Sequence, residues 1–244
     1  MKIYKEKNAE ELGKRAADCG AEAIMAAIGQ RGHARIILAT GASQFTTLEH
    51  LVKKAIPWEK VTMFHLDEYC ALPVTHIASF RKYLQERFVN LVHPGEVHFV
   101  NGEGDVRENI RQLSIELCKE PIDVAFIGIG ENGHIAFNDP PADFATRESY
   151  IVVDLDEDCK QQQVNEGWFA SKAEVPSQAI SMTVHQIMQC RTIVCAVPGK
   201  RKAKAIKATL GAQGADAMVP ASILATHADC CLVLDVDSAS LLKA

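Results

Sequence analysis

Ile122-Asp123-Val124-Ala125-Phe126-Ile127-Gly128-Ile129-Gly130-Glu131-Asn132-Gly133 reads as a buried strand running into a tight turn. Its apolar run, Ile122 to Ile129, is too short for a helix and is punctuated by glycines, as expected of a strand covered on both faces. The same pattern recurs on both sides. Strands are predicted at 35–39, 61–66, 150–154, 180–184, 192–197 and 231–235. Helices are predicted at 8–29, from 43 to about 55, and at 78–90, 105–119 and 199–210. This alternation predicts an α/β fold: a single doubly wound, mostly parallel sheet with helices on both faces, Rossmann-like, in one domain over residues 1–244. In such sheets ligands bind outside the carboxyl ends of the strands, so the segments that follow strands are where chemistry is expected.

Composition narrows the classes. Lysine plus arginine is 26 and aspartate plus glutamate is 31, so 26 − 31 gives a net charge of −5. That mild acidity argues against nucleic acid as a partner. No run of about 18 apolar residues is present, so no membrane partner is expected. The charged start, Met1 to Arg15, has no apolar segment of the kind that directs secretion. The eight cysteines are scattered and form no C-x-x-C pair. They read as reduced thiols of a cytoplasmic protein rather than as a disulfide or metal framework.

Three loops and one helix start stand out. Thr40-Gly41-Ala42-Ser43 follows a strand and precedes a helix. Its glycine and its backbone N–H groups suit an anion, while Ser43 could simply cap the helix. His65-Leu66-Asp67-Glu68-Tyr69 ends a strand with adjacent carboxylates. Partial burial raises a carboxyl pKa toward that of a useful base. Adjacent positions point to opposite sides of a strand, so Asp67 and Glu68 should have different roles. Capping of the next turn is one alternative; a metal held by His65 and Asp67 is another, but no further ligand cluster is near in sequence.

The segment Gly128 to Gly133 fits G-x-G-x-x-G, and Asp154 and Asp156 stand where a dinucleotide-binding acid would be. A dinucleotide site needs a long helix there, and Pro140-Pro141 would interrupt it. The continuation His134-Ile135-Ala136-Phe137-Asn138-Asp139 instead suits proton transfer near neutral pH. Finally, Gly199 to Lys207 holds five basic residues at a helix start. Most suit a solvated face, but Lys202 could reach an anion at the ligand edge of the sheet.

These segments together resemble the glucosamine-6-phosphate deaminase (isomerase) family, which shares its fold with 6-phosphogluconolactonases. The match rests on Leu38–Ser43, Phe64–Tyr69, Gly128–Pro140 and the Gly199–Lys202 helix start, in the same order and spacing over nearly the whole chain. The Ile135-Ala136-Phe137-Asn138-Asp139-Pro140 continuation resembles the deaminase branch. The resemblance implies that Thr40, Gly41, Ala42, Ser43, Gly130 and Lys202 bind an amino sugar phosphate. It implies that His134 assists ring opening and that Asp67 moves the C2 proton to C1. Ammonia and fructose 6-phosphate would be the products, with no cofactor and no metal.

Three positions depart from the family pattern. Asn132 replaces an aspartate expected to orient His134, and Asp139 replaces a glutamate. Lys160 stands near a phosphate-binding arginine and offers a point charge instead of a fork. The only arginine in the 141–149 loop is Arg147, and the chain ends soon after its last strand. Effector activation is therefore not expected, and a monomer or small homo-oligomer is. Segments 139–149 and 160–176 are candidate lids. The competing readings are deamination of another amino sugar phosphate such as galactosamine 6-phosphate, a 6-phosphogluconolactonase, a sugar-phosphate sensor without catalysis, and a dinucleotide-dependent oxidoreductase.

Overall fold

The computed structural model describes residues 1–242. Its ten strands are β1 (Lys2–Glu6), β2 (Ala34–Leu38), β3 (Val61–His65), β4 (Asp67–Tyr69), β5 (Glu96–His98), β6 (Val124–Ile127), β7 (Tyr150–Asp154), β8 (Gln178–Met182), β9 (Thr192–Val197) and β10 (Cys230–Asp235). Seven of them form one sheet in the order β1-β10-β9-β6-β2-β3-β5, and every neighbouring pair is parallel. The remaining three form a small antiparallel sheet, β4-β8-β7.

The main helices are α1 (Ala9–Arg31), α2 (Phe45–Leu51), α3 (Phe80–Leu84), α4 (Asn90–Val92), α5 (Val106–Leu117), α6 (Glu157–Asn165), α7 (Val184–Met188) and α8 (Ala203–Gly211). One apolar layer joins α1 and α2 to one face of the large sheet through Leu12, Ile24, Leu48, Ile36 and Phe126. A second layer lies on the other face and includes Ile37, Ile127, Leu113, Ile187 and Ile206. Central strands β2, β6 and β10 are buried along their whole length, which explains their unbroken apolar sequences. The expected α/β class with helices on both faces is the one observed.

The small sheet is the difference. β7 and β8 read in sequence as further apolar strands, but β7 alternates between buried and more exposed positions. That pattern belongs to an antiparallel strand with one open face. β1 and β5 escape a reading based on apolar runs, because one is Lys2-Ile3-Tyr4-Lys5-Glu6 and the other is three residues long at the sheet edge. The predicted 78–90 helix is α3 and α4 joined by one π turn at Gln85–Val89.

The strand order locates the cleft. From β2 the chain winds outward through β3 and β5, and from β6 it winds the opposite way through β9 and β10. β2 and β6 are neighbours, so a crevice opens between the loops that leave their carboxyl ends. All four segments singled out in the sequence leave the carboxyl ends of four adjacent strands: β9, β6, β2 and β3.

Candidate active site

The crevice is an open cleft of about 570 Å³, including its mouth. Thr40, Gly41, Ala42 and Ser43 line it from the end of β2. Gly41 has φ 88° and precedes a 3₁₀ turn at Ala42–Gln44 that has no side-chain cap. Ser43 is therefore not a helix cap. Its Oγ accepts a long hydrogen bond (3.3 Å) from Gln44 Nε2, which also reaches the Ile127 carbonyl at 3.2 Å. That bridge ties the β2 loop to β6. The Tyr83 hydroxyl donates to the Gly41 carbonyl at 3.0 Å and fixes the loop from α3.

The chain leaves the large sheet at Leu66 and enters the small one at Asp67. Asp67 and Glu68 consequently face different surroundings. Glu68 is fully buried and accepts from the Tyr69, Phe80 and Arg81 amides, the Ser79 hydroxyl and Arg81 Nε. It anchors the start of α3. Asp67 lines the cleft and is 6% exposed. Burial, with a smaller contribution from the Glu68 charge, pushes its pKa up to about 8. His65 is fully buried, with both ring nitrogens unpartnered. Burial, reinforced by Arg81, lowers its pKa to about 3, so it is a neutral core residue.

After β6 no helix begins; residues 128–149 form an irregular loop, which removes the structural basis of a dinucleotide site. The loop is closed by hydrogen bonds from the Gly130 amide to the His134 carbonyl and from the Gly133 amide to the Gly130 carbonyl. A Cβ on Gly130 would lie 2.2 Å from the His134 ring, so only glycine lets the imidazole lie there. His134 lines the cleft and is 9% exposed. Its Nδ1 stands 2.9 Å from Asp139 Oδ1, off the line of an ideal hydrogen bond. Asn132 makes its hydrogen bonds beside the imidazole rather than to it. Its Oδ1 accepts from the His134 amide at 3.0 Å, and its Nδ2 donates to Asp139 Oδ1 at 2.9 Å. The orienting carboxylate next to His134 is thus Asp139, with Asn132 bracing the pair. Burial raises the Asp139 pKa, but His134 and Asn132 together outweigh it and hold the carboxyl below its ordinary value.

Lys202 closes the far side of the cleft from a 3₁₀ turn at Lys200–Lys202. The turn is set by Gly199, whose amide donates to the buried Asp235 carboxylate at the end of β10. Burial lowers the Lys202 pKa, and Glu166 and Glu131 act against that. The structure does not bring Lys160 into the cleft. It pairs with Glu157 at 3.2 Å on α6, while the same helix and the residue after it present Gln162, Gln163 and Glu166 to the cleft. The sequence reading missed these three, because α6 has little apolar periodicity. Glu166 accepts from Gln162 Nε2 at 2.8 Å and from Trp168 Nε1 at 3.2 Å. Trp168 meets the Phe45 ring edge-on, 6.5 Å between centroids, so the segment bridges to the start of α2. All eight cysteines are free thiols.

Comparison with known proteins agrees with this architecture. A family model described as glucosamine-6-phosphate isomerases/6-phosphogluconolactonase matches residues 7–232. The glucosamine-6-phosphate deaminase of Streptococcus uberis is 35% identical over 241 residues, covering 98% of this chain and 99% of its own. That of Thermoanaerobacter pseudethanolicus is 35% identical over 250 residues, covering 99% and 95%. A monomeric glucosamine-6-phosphate deaminase of solved structure superposes with a TM-score of 0.89 at 29% identity, covering 99% of this chain and 100% of its own. A 6-phosphogluconolactonase from Shewanella baltica superposes at 0.79 with 18% identity, over 96% and 97% of the two chains, and shares the fold. The chain belongs to the glucosamine-6-phosphate isomerase/6-phosphogluconolactonase family.

Proposed function

We propose that this protein is a glucosamine-6-phosphate deaminase: it converts D-glucosamine 6-phosphate and water to D-fructose 6-phosphate and ammonia. The observation that carries the reading is Asp67, a desolvated carboxylate that shares one cleft with the His134–Asp139 pair. The chemistry needs a base whose pKa lies near the working pH, and burial supplies one.

In this reading the Thr40–Ser43 loop and Lys202 hold the phosphate through backbone N–H groups, a hydroxyl and one ammonium. Gly130 leaves room for His134, which transfers the proton that opens the pyranose ring. Asp139, braced by Asn132, orients the imidazole. Asp67 takes the C2 proton, acidified by the neighbouring C1 aldehyde of the opened sugar and by the C2 ammonium; the enolamine that forms takes the proton back at C1, leaving an iminium at C2. Water then replaces the nitrogen and ammonia leaves. Lys160 has no part in binding. The small molecule is the partner, and the chain acts as a monomer or small homo-oligomer.

The test is ammonia release from glucosamine 6-phosphate, with fructose 6-phosphate followed in the same reaction. Asp67→Asn should lower kcat by about 10²–10⁴-fold, the usual worth of a positioned base, and leave sugar-phosphate binding nearly intact. Turnover of 6-phosphogluconolactone without ammonia release from the amino sugar would overturn the reading in favour of the hydrolase branch.

A further inference from the structure

Three consecutive glutamines on α6 have three different fates. Gln161 faces solvent and donates to Asn165 at 2.9 Å. Gln162 is satisfied at both ends: its Oε1 accepts from the Glu131 amide at 3.1 Å and its Nε2 donates to Glu166. Gln163 is only 6% exposed, lines the cleft, and has no hydrogen bond from its carboxamide to any described residue. Its backbone is fixed, because its carbonyl accepts from the Trp168 amide at 3.1 Å. Neither carboxamide atom is sealed from solvent, so the group is open to the cleft, and a ligand that fills the cleft has to replace the water it would otherwise bind.

We infer that Gln163 is a specificity-determining residue that hydrogen-bonds the hydroxyl groups of the sugar. This rests on the deaminase reading given above. A carboxamide offers a donor and an acceptor side by side. A phosphate offers only acceptors and would leave Oε1 unpaired, whereas a hydroxyl both donates and accepts. In that reading the anion has its cradle in the 40–43 loop and Lys202, which line the same cleft. Phe80, Ala136 and Phe137 are apolar parts of the wall and cannot read a hydroxyl. A site built to hydrogen-bond a hydroxyl discriminates strongly against a ligand that presents it wrongly. Gln163 therefore distinguishes amino sugar phosphates that differ at one hydroxyl-bearing carbon.

The test compares wild type with Gln163→Leu on glucosamine 6-phosphate and galactosamine 6-phosphate. Calorimetry with glucitol 6-phosphate, an unreactive open-chain polyol phosphate, and with inorganic phosphate runs alongside. The expected result is a loss of at least about tenfold in kcat/KM on the preferred sugar, a smaller ratio between the two sugars, and unchanged affinity for inorganic phosphate. Gln163→Asn, which keeps the amide, should recover part of the ratio. The inference is overturned if Gln163→Leu stays within about twofold of wild type in both kcat/KM and the sugar ratio, or if inorganic phosphate is weakened as much as glucitol 6-phosphate. Should the leucine variant misfold, Gln163→Glu, of the same size without the N–H donor, is judged by the same ratios. If wild type turns over neither sugar, the deaminase reading fails. Loss or retention of glucitol 6-phosphate binding in the variant then still decides the role of Gln163.

Discussion

Asp67 and Glu68 are neighbours in sequence with opposite employment. Glu68 is consumed by five donors at the start of α3, and Asp67 is left to the cleft. The alternation of side chains along a strand anticipated different roles, but not which carboxylate would be free. That depended on where Ser79 and Arg81 fold back, a long-range fact. Gln163 was illegible for a related reason: only the packing of α6 separates it from Gln161 and Gln162. The raised pKa of Asp67 gives a pH prediction. The carboxyl acts as a base only when ionised, so kcat/KM should climb with pH and level off above about 8. Bound substrate brings an ammonium beside it, which favours the carboxylate, so the limb in kcat should lie at lower pH. For stability the sign is the reverse. The folded state holds a proton that the unfolded chain releases above about 4, so stability from this group is full below that pH and is lost as pH rises through about 8. Asp67→Asn should therefore melt higher than wild type at pH 8 and equally at pH 4. Equal melting at both pH values would contradict the burial assigned to this carboxylate.

At the scale of elements, the central strands were legible because burial on both faces leaves an unbroken apolar signature. The small sheet was not, since its strands are equally apolar in composition and only their spatial environment differs. α3 shows what this costs and gains. It is a short helix, too short to persist by propensity, yet it supplies Phe80 to the cleft wall and Tyr83 to the Gly41 carbonyl. Glu68 holds its first turn, and Arg81 returns the contact while also reaching Glu103 and Asn101. Glu68→Ala leaves three amides, a hydroxyl and a guanidinium short of an acceptor in a buried position. Breaking such a network costs about 3 kcal/mol, which lowers Tm by roughly 6–12 °C for a chain of this size. Scanning calorimetry checks this. A melt within about 2 °C of wild type would mean that α3 is held by its apolar contacts alone.

For the whole molecule, the topology does what no single residue does. It winds two halves apart from β2 and β6 and gathers four loops, far apart in sequence, at one crevice. This chain lines the crevice from all four of these loops. Large exposed apolar residues are spread over separate elements, including Ile3 on β1, Met25 on α1, Leu91 on α4 and Ile115 on α5, whereas stable obligate assemblies bury large apolar patches. In the 141–149 loop the lone Arg147 is already engaged, 2.7 Å from His185 Nδ1, so the loop has no pair of cations to grip a second sugar phosphate. Light scattering should give a mass of 26.7 kDa or at most twice that, and the rate should rise hyperbolically with substrate, with or without N-acetylglucosamine 6-phosphate. A sigmoidal rate curve relieved by that compound would require a regulatory site coupled to a second conformation, and would overturn the picture of an enzyme that works as a self-sufficient cleft.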